Sequence, residues 1–302
     1  MTRTPFILLI LLLAGCATSD NGRKQLVASD EIGAIYSDFD LRARLVLAVD
    51  KECVGDDCAA IAAFRQQVGE AGARLSRAAY AAYPDLDQRV PRFEFSVPTK
   101  VELGTLSNAK GSVVIFSRLS ELGLDEAALN FIVAREMGHV IGRHHQENTG
   151  LSIAVSVVAQ LLFPMANIIR GAAAALPATT SVAATTSAAS LVGTRVLQSA
   201  YRQDQIDEAD AIAFKLLRQT GWDLDGMAHS VDNVAPKLAQ IGSGGWISEF
   251  NLSKARLDLL DCGAPWSIEP DMLLTTVDGM RLDHQLSPPL GGQPDSSLAS
   301  RQ

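Results

Sequence analysis

The sequence has no surplus of basic residues. Twenty-six Lys and Arg stand against 34 Asp and Glu, a formal charge of −8 with a pI near 5.1. So acidic a chain lacks the basic face that a nucleic-acid partner requires. It also lacks an internal repeat of solenoid length, which excludes stacked-repeat architectures. An uninterrupted apolar run long enough to span a bilayer is missing. The N-terminal run stops at Leu13, and the one from Leu151 to Leu176 is broken by Gln160, Pro164, Asn167 and Arg170, each costly at mid-bilayer. Cys53 and Cys58 have no further Cys or His nearby, so they make a poor zinc signal. What remains, 302 residues of which 47% are hydrophobic and 20% charged, suffices for one sizeable core with at most a small appendage.

The N-terminus has the layout of an export signal. Arg3 gives a positive start, and Phe6 to Leu13 give an apolar stretch too short to cross a membrane. It closes on Leu13-Ala14-Gly15-Cys16, which resembles the lipobox of bacterial lipoproteins. That resemblance implies cleavage before Cys16, a diacylglycerol on its sulfur, and residues 16–28 as a tether. By the same resemblance, Ala17 at the second mature position implies delivery to the outer membrane, on its periplasmic face. An uncleaved membrane anchor with an incidental Cys is the alternative. Export to an oxidising compartment favours a bridge between Cys53 and Cys58, which bracket the turn-forming Val54-Gly55-Asp56-Asp57. Pairing of one of them with Cys262 stays open.

Between the ends, the pattern predicts an α+β domain over 29–262 whose part up to about residue 90 is helical. From Ser29 to Tyr83, Ile61, Phe64, Val68, Ala71 and Leu75 recur at three- and four-residue steps until Pro84. Arg92 to Val97 alternates as a strand, Val101 to Leu106 makes a second, and Asn108 to Gly111 reads as a turn into Ser112 to Phe116. Asp125 is the N-cap of a helix from Glu126 to about His145. Helices are expected over roughly Val196 to Thr220, after Gly226, and from Ser253 to Leu260. Pro, Gly and Ser gather from Gly263 onward, so 263–302 reads as an extension ending in a disordered tail.

The chemistry is concentrated in Phe131-Ile-Val-Ala-Arg135-Glu136-Met-Gly-His139-Val-Ile-Gly-Arg-His144-His145. This stretch resembles the helix of the HtpX, BepA and CAAX-prenyl-protease family of zinc metallopeptidases, whose members carry H-E-x-x-H there. Two imidazoles four residues apart share a helix face and hold one zinc, while the intervening Glu deprotonates its water. Three further segments are similar to the family: Asn108 to Phe116, Tyr201 to Asp210, and Gly221-Trp222-Asp223. The resemblance implies a mainly helical gluzincin-type fold with a small β-sheet edging the cleft. It implies a general base at Glu136, a ligand at His139, and second-shell carboxylates at Asp210 and Glu208. A helical hairpin over the cleft, from Leu151 to Leu176, is implied too; a membrane span and shallow contact with the outer membrane are the alternatives for that stretch.

The departures from the family pattern carry the functional reading. Arg135 stands at the first ligand position. Aligning on Asp210 puts Ile206 at the third, where the family has Glu, and Glu208 lies about 200° round the helix from it. Phe250-Asn251 replace a His-Pro that the family carries six residues before an Arg, here Arg256. His144 is about 140° from His139 on a continuous helix and so faces elsewhere, with His144 and His145 meeting the helix dipole. Arg135 is expected to pair with Asp210 and Glu136. These substitutions imply an inactive pseudopeptidase, with no cofactor, that binds or regulates envelope or outer-membrane proteins. The alternatives are an active zinc endopeptidase in envelope quality control, recruiting Asp210 or His229 as ligand, and a lipoprotein whose cleft does nothing.

Overall fold

A computed structural model describes residues 14–19, 22–162, 202–241 and 244–261. Strands β1 (Ala14–Thr18) and β2 (Lys24–Ala28) form an antiparallel hairpin with Cys16 opposite Leu26. Helices α1 (Asp30–Leu47) and α2 (Asp56–Ala82) follow, then a single turn, α3 (Leu86–Arg89). Strands β3 (Glu94–Ser96), β4 (Thr105–Ser107) and β5 (Ser112–Ile115) make a sheet of order β3-β5-β4, with β3 parallel and β4 antiparallel to β5. A 3-10 turn (Ser117–Leu122) precedes α4 (Glu126–Ile141) and α5 (His144–Leu162). Then come α6 (202–219), α7 (Leu224–Asp232), α8 (Ala235–Ile241) and α9 (Gly245–Asp261). The architecture is mainly helical with two small sheets, of the α+β class. The apolar stretch beyond residue 162, Cys262 and the 263–302 extension lie outside the described residues.

The core is built round α4, in which every residue from Ala128 to Gly138 is buried. Such a helix, apolar on nearly all sides, belongs in a core. Asp125 caps it, its carboxylate accepting from the Ala128 N–H at 2.8 Å. Helix α2 packs on it through Phe64, Val68, Ala71 and Leu75, the residues of the predicted stripe. Helix α6 crosses it so closely that a Cβ on Gly138 would lie 2.3 Å from the Ala209 carbonyl oxygen. Only glycine permits that approach.

The helical stretch read from Ser29 to Tyr83 forms two helices, separated at the expected turn by a loop whose Cys53 and Cys58 are joined in the favoured disulfide, Cα atoms 5.1 Å apart. Two elements depart from expectation. The second strand starts at Thr105, because residues 99–101 hydrogen-bond to residues 49–51 instead of to the sheet. Helix α4 ends at Ile141, where Arg89 donates to the Val140 and Ile141 carbonyls at 3.0 and 2.5 Å and Arg143 turns left-handed at φ 60°.

The stretch read as a tether is also ordered where it is described. Gln25 is buried and donates to the Gly142 carbonyl at 3.0 Å. Strand β2 lies against α5 so closely that a Cβ on Gly150 would stand 2.6 Å from the Leu26 carbonyl oxygen. Pairing with β1 and burial of its alternate residues outweigh the flexibility of a polar segment.

Candidate active site

Helix α4 presents Glu136 and His139 to a cavity of about 510 Å³. Helix α1 supplies Tyr36 to its wall, β4 supplies Ser107, α5 His145, α6 Ile206 and α9 Trp246. Glu136 and His139 are three residues apart and so share a helix face. Ile206 shares the cavity with them, which is where a third ligand would have to stand.

Hydroxyl groups hold the Glu136 carboxylate. Thr105 Oγ1 donates to Oε1 at 2.5 Å and Ser107 Oγ to Oε2 at 3.1 Å. Thr105 and Ser107 are two apart on a strand and project to one side. The Trp246 indole, which can only donate, bonds Thr105 Oγ1 at 2.7 Å, leaving the Thr105 hydrogen for Glu136. Ser107 Oγ also lies 3.0 Å from His145 Nε2. Burial first, then the charges of His144 and Arg44, push the His145 pKa down to about 3, so its ring is neutral at pH 7.

Arg135, at the position that the resemblance assigns to the first ligand, is buried and does not line the cavity. Its Nε lies 3.4 Å from Asp210 Oδ1, and its Nη2 donates to Glu249 Oε2 at 3.4 Å. Asp210 is the expected partner. Glu136 is not a partner, because Thr105 and Ser107 hold it on another side, and Glu249 of α9 takes that role. Arg256 bridges Asp210 and Asp207, and Arg202 pairs with Glu249. The result is a ladder of alternating charge, Asp207–Arg256–Asp210–Arg135–Glu249–Arg202, that ties α4, α6 and α9. Burial pushes the Asp210 carboxyl up to about 7, with Arg135 and the Ser253 hydroxyl pulling against it. Burial and then the Arg135 charge bring Arg256 down to about 10.

His139 belongs to a second chain of contacts, which corrects the expectation that His144 faces elsewhere. Because α4 stops at Ile141, His144 opens a new helix and turns back, its Nδ1 2.9 Å from His139 Nδ1. His144 Nε2 lies 3.2 Å from Glu208 Oε2. Glu208 in turn accepts from Arg23 at 2.7 and 3.1 Å and from Gln25 at 3.2 Å. Burial works to raise the Glu208 pKa, but the bonds and charges of His144 and Arg23 outweigh it and hold the group at about 2. An ionised Glu208 only accepts, so His144 Nε2 carries a proton. Burial, followed by the charges of His144 and Arg135, lowers the His139 pKa well below its ordinary value. Glu208 thus reaches His139 only through His144 and does not enter the Ile206 position.

The residues present do not fit a catalytic zinc. The three positions that the family resemblance assigns to ligands hold one imidazole, one guanidinium and one alkyl side chain, whereas such a site keeps three protein ligands. Asp210 is enclosed by Arg135 and Arg256, and His229 is exposed on α7 with Nδ1 3.0 Å from the Asp225 carbonyl oxygen. Among the described residues no group of three or more His, Cys, Asp or Glu is placed to hold a metal ion. Phe250 is buried between Trp246 and Phe131, ring centroids 5.3 and 6.2 Å away. Cys16 is exposed on β1, and no helix of the described residues is long and apolar enough to cross a membrane.

Sequence reasoning missed Arg23, Thr105, Ser107, Trp246 and Glu249. Period-two spacing was a usable signal for Thr105 and Ser107. Nothing in the local pattern marks Arg23 or Glu249, whose partners Glu147 and Arg135 are more than 100 residues away.

A search of curated proteins found no match. The profile described as Peptidase family M48 matches residues 103–274, more than half of the 302-residue chain. That stretch contains the Glu136 and His139 helix, the sheet edge that holds Glu136, and the ion-pair ladder. This chain belongs to peptidase family M48.

Proposed function

We propose that this protein is a catalytically inactive metallopeptidase-like lipoprotein of the bacterial envelope, whose cleft binds or regulates other envelope proteins. The observation that carries this reading is Arg135. A permanent cation occupies a position that in the family approaches zinc, and it is buried against Asp210 and Glu249. Without a Lewis acid there is neither polarisation of a carbonyl nor a water of lowered pKa, and Glu136 alone supplies neither. The cleft nevertheless keeps its depth and an outer strand, β4, along its wall, which suits an extended polypeptide segment. The lipobox ending at Cys16 supports a lipid anchor, with the protein facing the periplasm from the outer membrane.

A second reading, an active zinc endopeptidase with an unusual ligand set, is favoured by His139 sharing the cavity with Glu136. Two measurements separate the readings. The purified mature protein should contain far less than one zinc per chain. Glu136→Gln should leave intact whatever cellular defect of the deletion strain the wild-type gene complements, because Gln still accepts from Thr105 and Ser107 can turn to accept from its amide. Stoichiometric zinc, or a folded and abundant Glu136→Gln protein that fails to complement, refutes the inactive reading.

A further inference from the structure

Helix α1 carries an apolar stripe that is exposed among the described residues. Ile35, Phe39 and Val46 are 68%, 73% and 83% exposed. At about 100° per residue, the three lie within about 40° of one another in projection. Glu31 stands one turn before Ile35 on the same line, and Arg42 lies between Phe39 and Val46 with its Nε drawn to Asp38 Oδ2 at 3.1 Å; both have stems long enough to carry the charge aside. Three large apolar side chains aligned on one exposed face mark a docking surface more often than chance exposure.

The N-terminal hairpin says what lies opposite. Arg23 is clamped between two buried carboxylates, donating to Glu147 at 2.6 and 2.8 Å and to Glu208 at 2.7 and 3.1 Å. Gln25 is buried beside it and Gln205 donates to Glu147 at 2.8 Å. Releasing the hairpin would strip Glu147 and Glu208 of their cation, so the segment after Cys16 is no slack linker. Cleavage after Gly15 removes only the first two pairs of the hairpin and leaves Cys16, Ala17 and Thr18 opposite Leu26, Gln25 and Lys24. Three residues, Val27, Ala28 and Ser29, then separate Leu26 from the start of α1. With ~5.5 Å across the strands and ~3.5 Å per extended residue, α1 begins within about 20 Å of the acylated residue.

We propose that the Ile35–Phe39–Val46 stripe seats in the headgroup and upper acyl region of the same bilayer that holds the Cys16 anchor. The anchor and helix α1 then act as two linked contacts that fix how the cleft faces the membrane. This rests on the lipid-anchor part of the functional reading above.

The test uses the mature acylated protein in phosphatidylethanolamine–phosphatidylglycerol vesicles, with Phe39→Trp as a depth reporter. Position 39 is exposed, so the indole fits without repacking; Ile35→Trp serves if Phe39→Trp fails to fold. In vesicles containing phospholipid brominated on its acyl chains, most of the emission added by the new Trp over the parent protein should be quenched. A folded protein that floats with the vesicles while its added emission is unchanged overturns the inference and leaves the anchor standing. A protein that does not float shows that the anchor reading has failed, and the inference fails with it. A photoreactive residue at position 39 that couples to a second copy or another protein, rather than to lipid, also overturns it.

Discussion

Arg135→Ala removes a guanidinium that is 2% exposed and wedged between Asp210, which is fully buried, and Glu249. Breaking a buried ion pair typically costs about 3–5 kcal/mol, because a charge is left without its partner. Asp210 retains Arg256 and Glu249 retains Arg202, which argues for the lower end, about 3 kcal/mol. At roughly 2–4 °C per kcal/mol for a domain of this size, the melting temperature should fall by about 6–12 °C. Arg118→Ala, at a half-buried side chain near the surface, should stay within about 0.5 kcal/mol of wild type. Thermal unfolding followed by circular dichroism reads both. The pH dependence tests the partner. Burial raises the folded pKa of Asp210 from 3.8 to about 7, so the group favours the folded state at low pH and that contribution is lost as pH rises through the folded value. Without Arg135 the pKa goes higher still. The gap between variant and wild type should therefore be wider at pH 8 than at pH 5. An Arg135→Ala protein no less stable than Arg118→Ala, or a gap that narrows as pH rises, refutes the assigned tie between α4 and α6.

Further outcomes follow from the same geometry. Arg135→His combined with Ile206→Glu rebuilds a His, His, Glu set and should bind about one zinc per chain. At a hundredfold excess over Kd that adds about 2.7 kcal/mol, visible as a chelator-sensitive rise in Tm; no bound zinc would mean that Ile206 is not the third position. Cys16→Ser should abolish processing at the lipobox and fatty-acid labelling, and a variant still cut after Gly15 and labelled would refute the lipoprotein reading. The Glu208 pKa is depressed from 4.5 to about 2 and that of His145 from 6.5 to about 3. Both contributions are therefore present above the unfolded values and are lost as pH falls, His145 from about 6.5 and Glu208 from about 4.5 downward. Glu208→Gln should cost about 1.5–3 kcal/mol at pH 7, the range for hydrogen bonds to charged groups. In urea titrations that cost should shrink toward pH 3, and a constant cost refutes the assignment.

Much of the frame was legible in the chain itself. The stripe from Ile61 to Leu75, the Asp125 cap and the Asn108–Gly111 turn are local, set by periodicity and by short-range hydrogen bonding, and each stands where such rules put it. The spacing of Glu136 and His139 likewise dictates a shared face wherever the helix goes. Local rules failed where distant groups competed. Helix α4 ends early because Arg89, some fifty residues upstream, takes its last carbonyls, and that break is what brings His144 back onto His139. Residues 16–28 read as a polar tether because the acids that fix Arg23 sit on α5 and α6, out of view of any local pattern.

The sequence by itself thus determined the family and the elements that make up most of the core. Those facts depend on residue identity and on separations of a few positions along one helix. The tertiary structure alone decided what those residues touch: Arg135 turned to Asp210 and Glu249, Glu136 held by Thr105 and Ser107, His139 joined through His144 to Glu208 and Arg23. A buried charge takes whichever opposite charge the packing of remote helices delivers within a few ångströms, and packing on that scale is not written in local spacing.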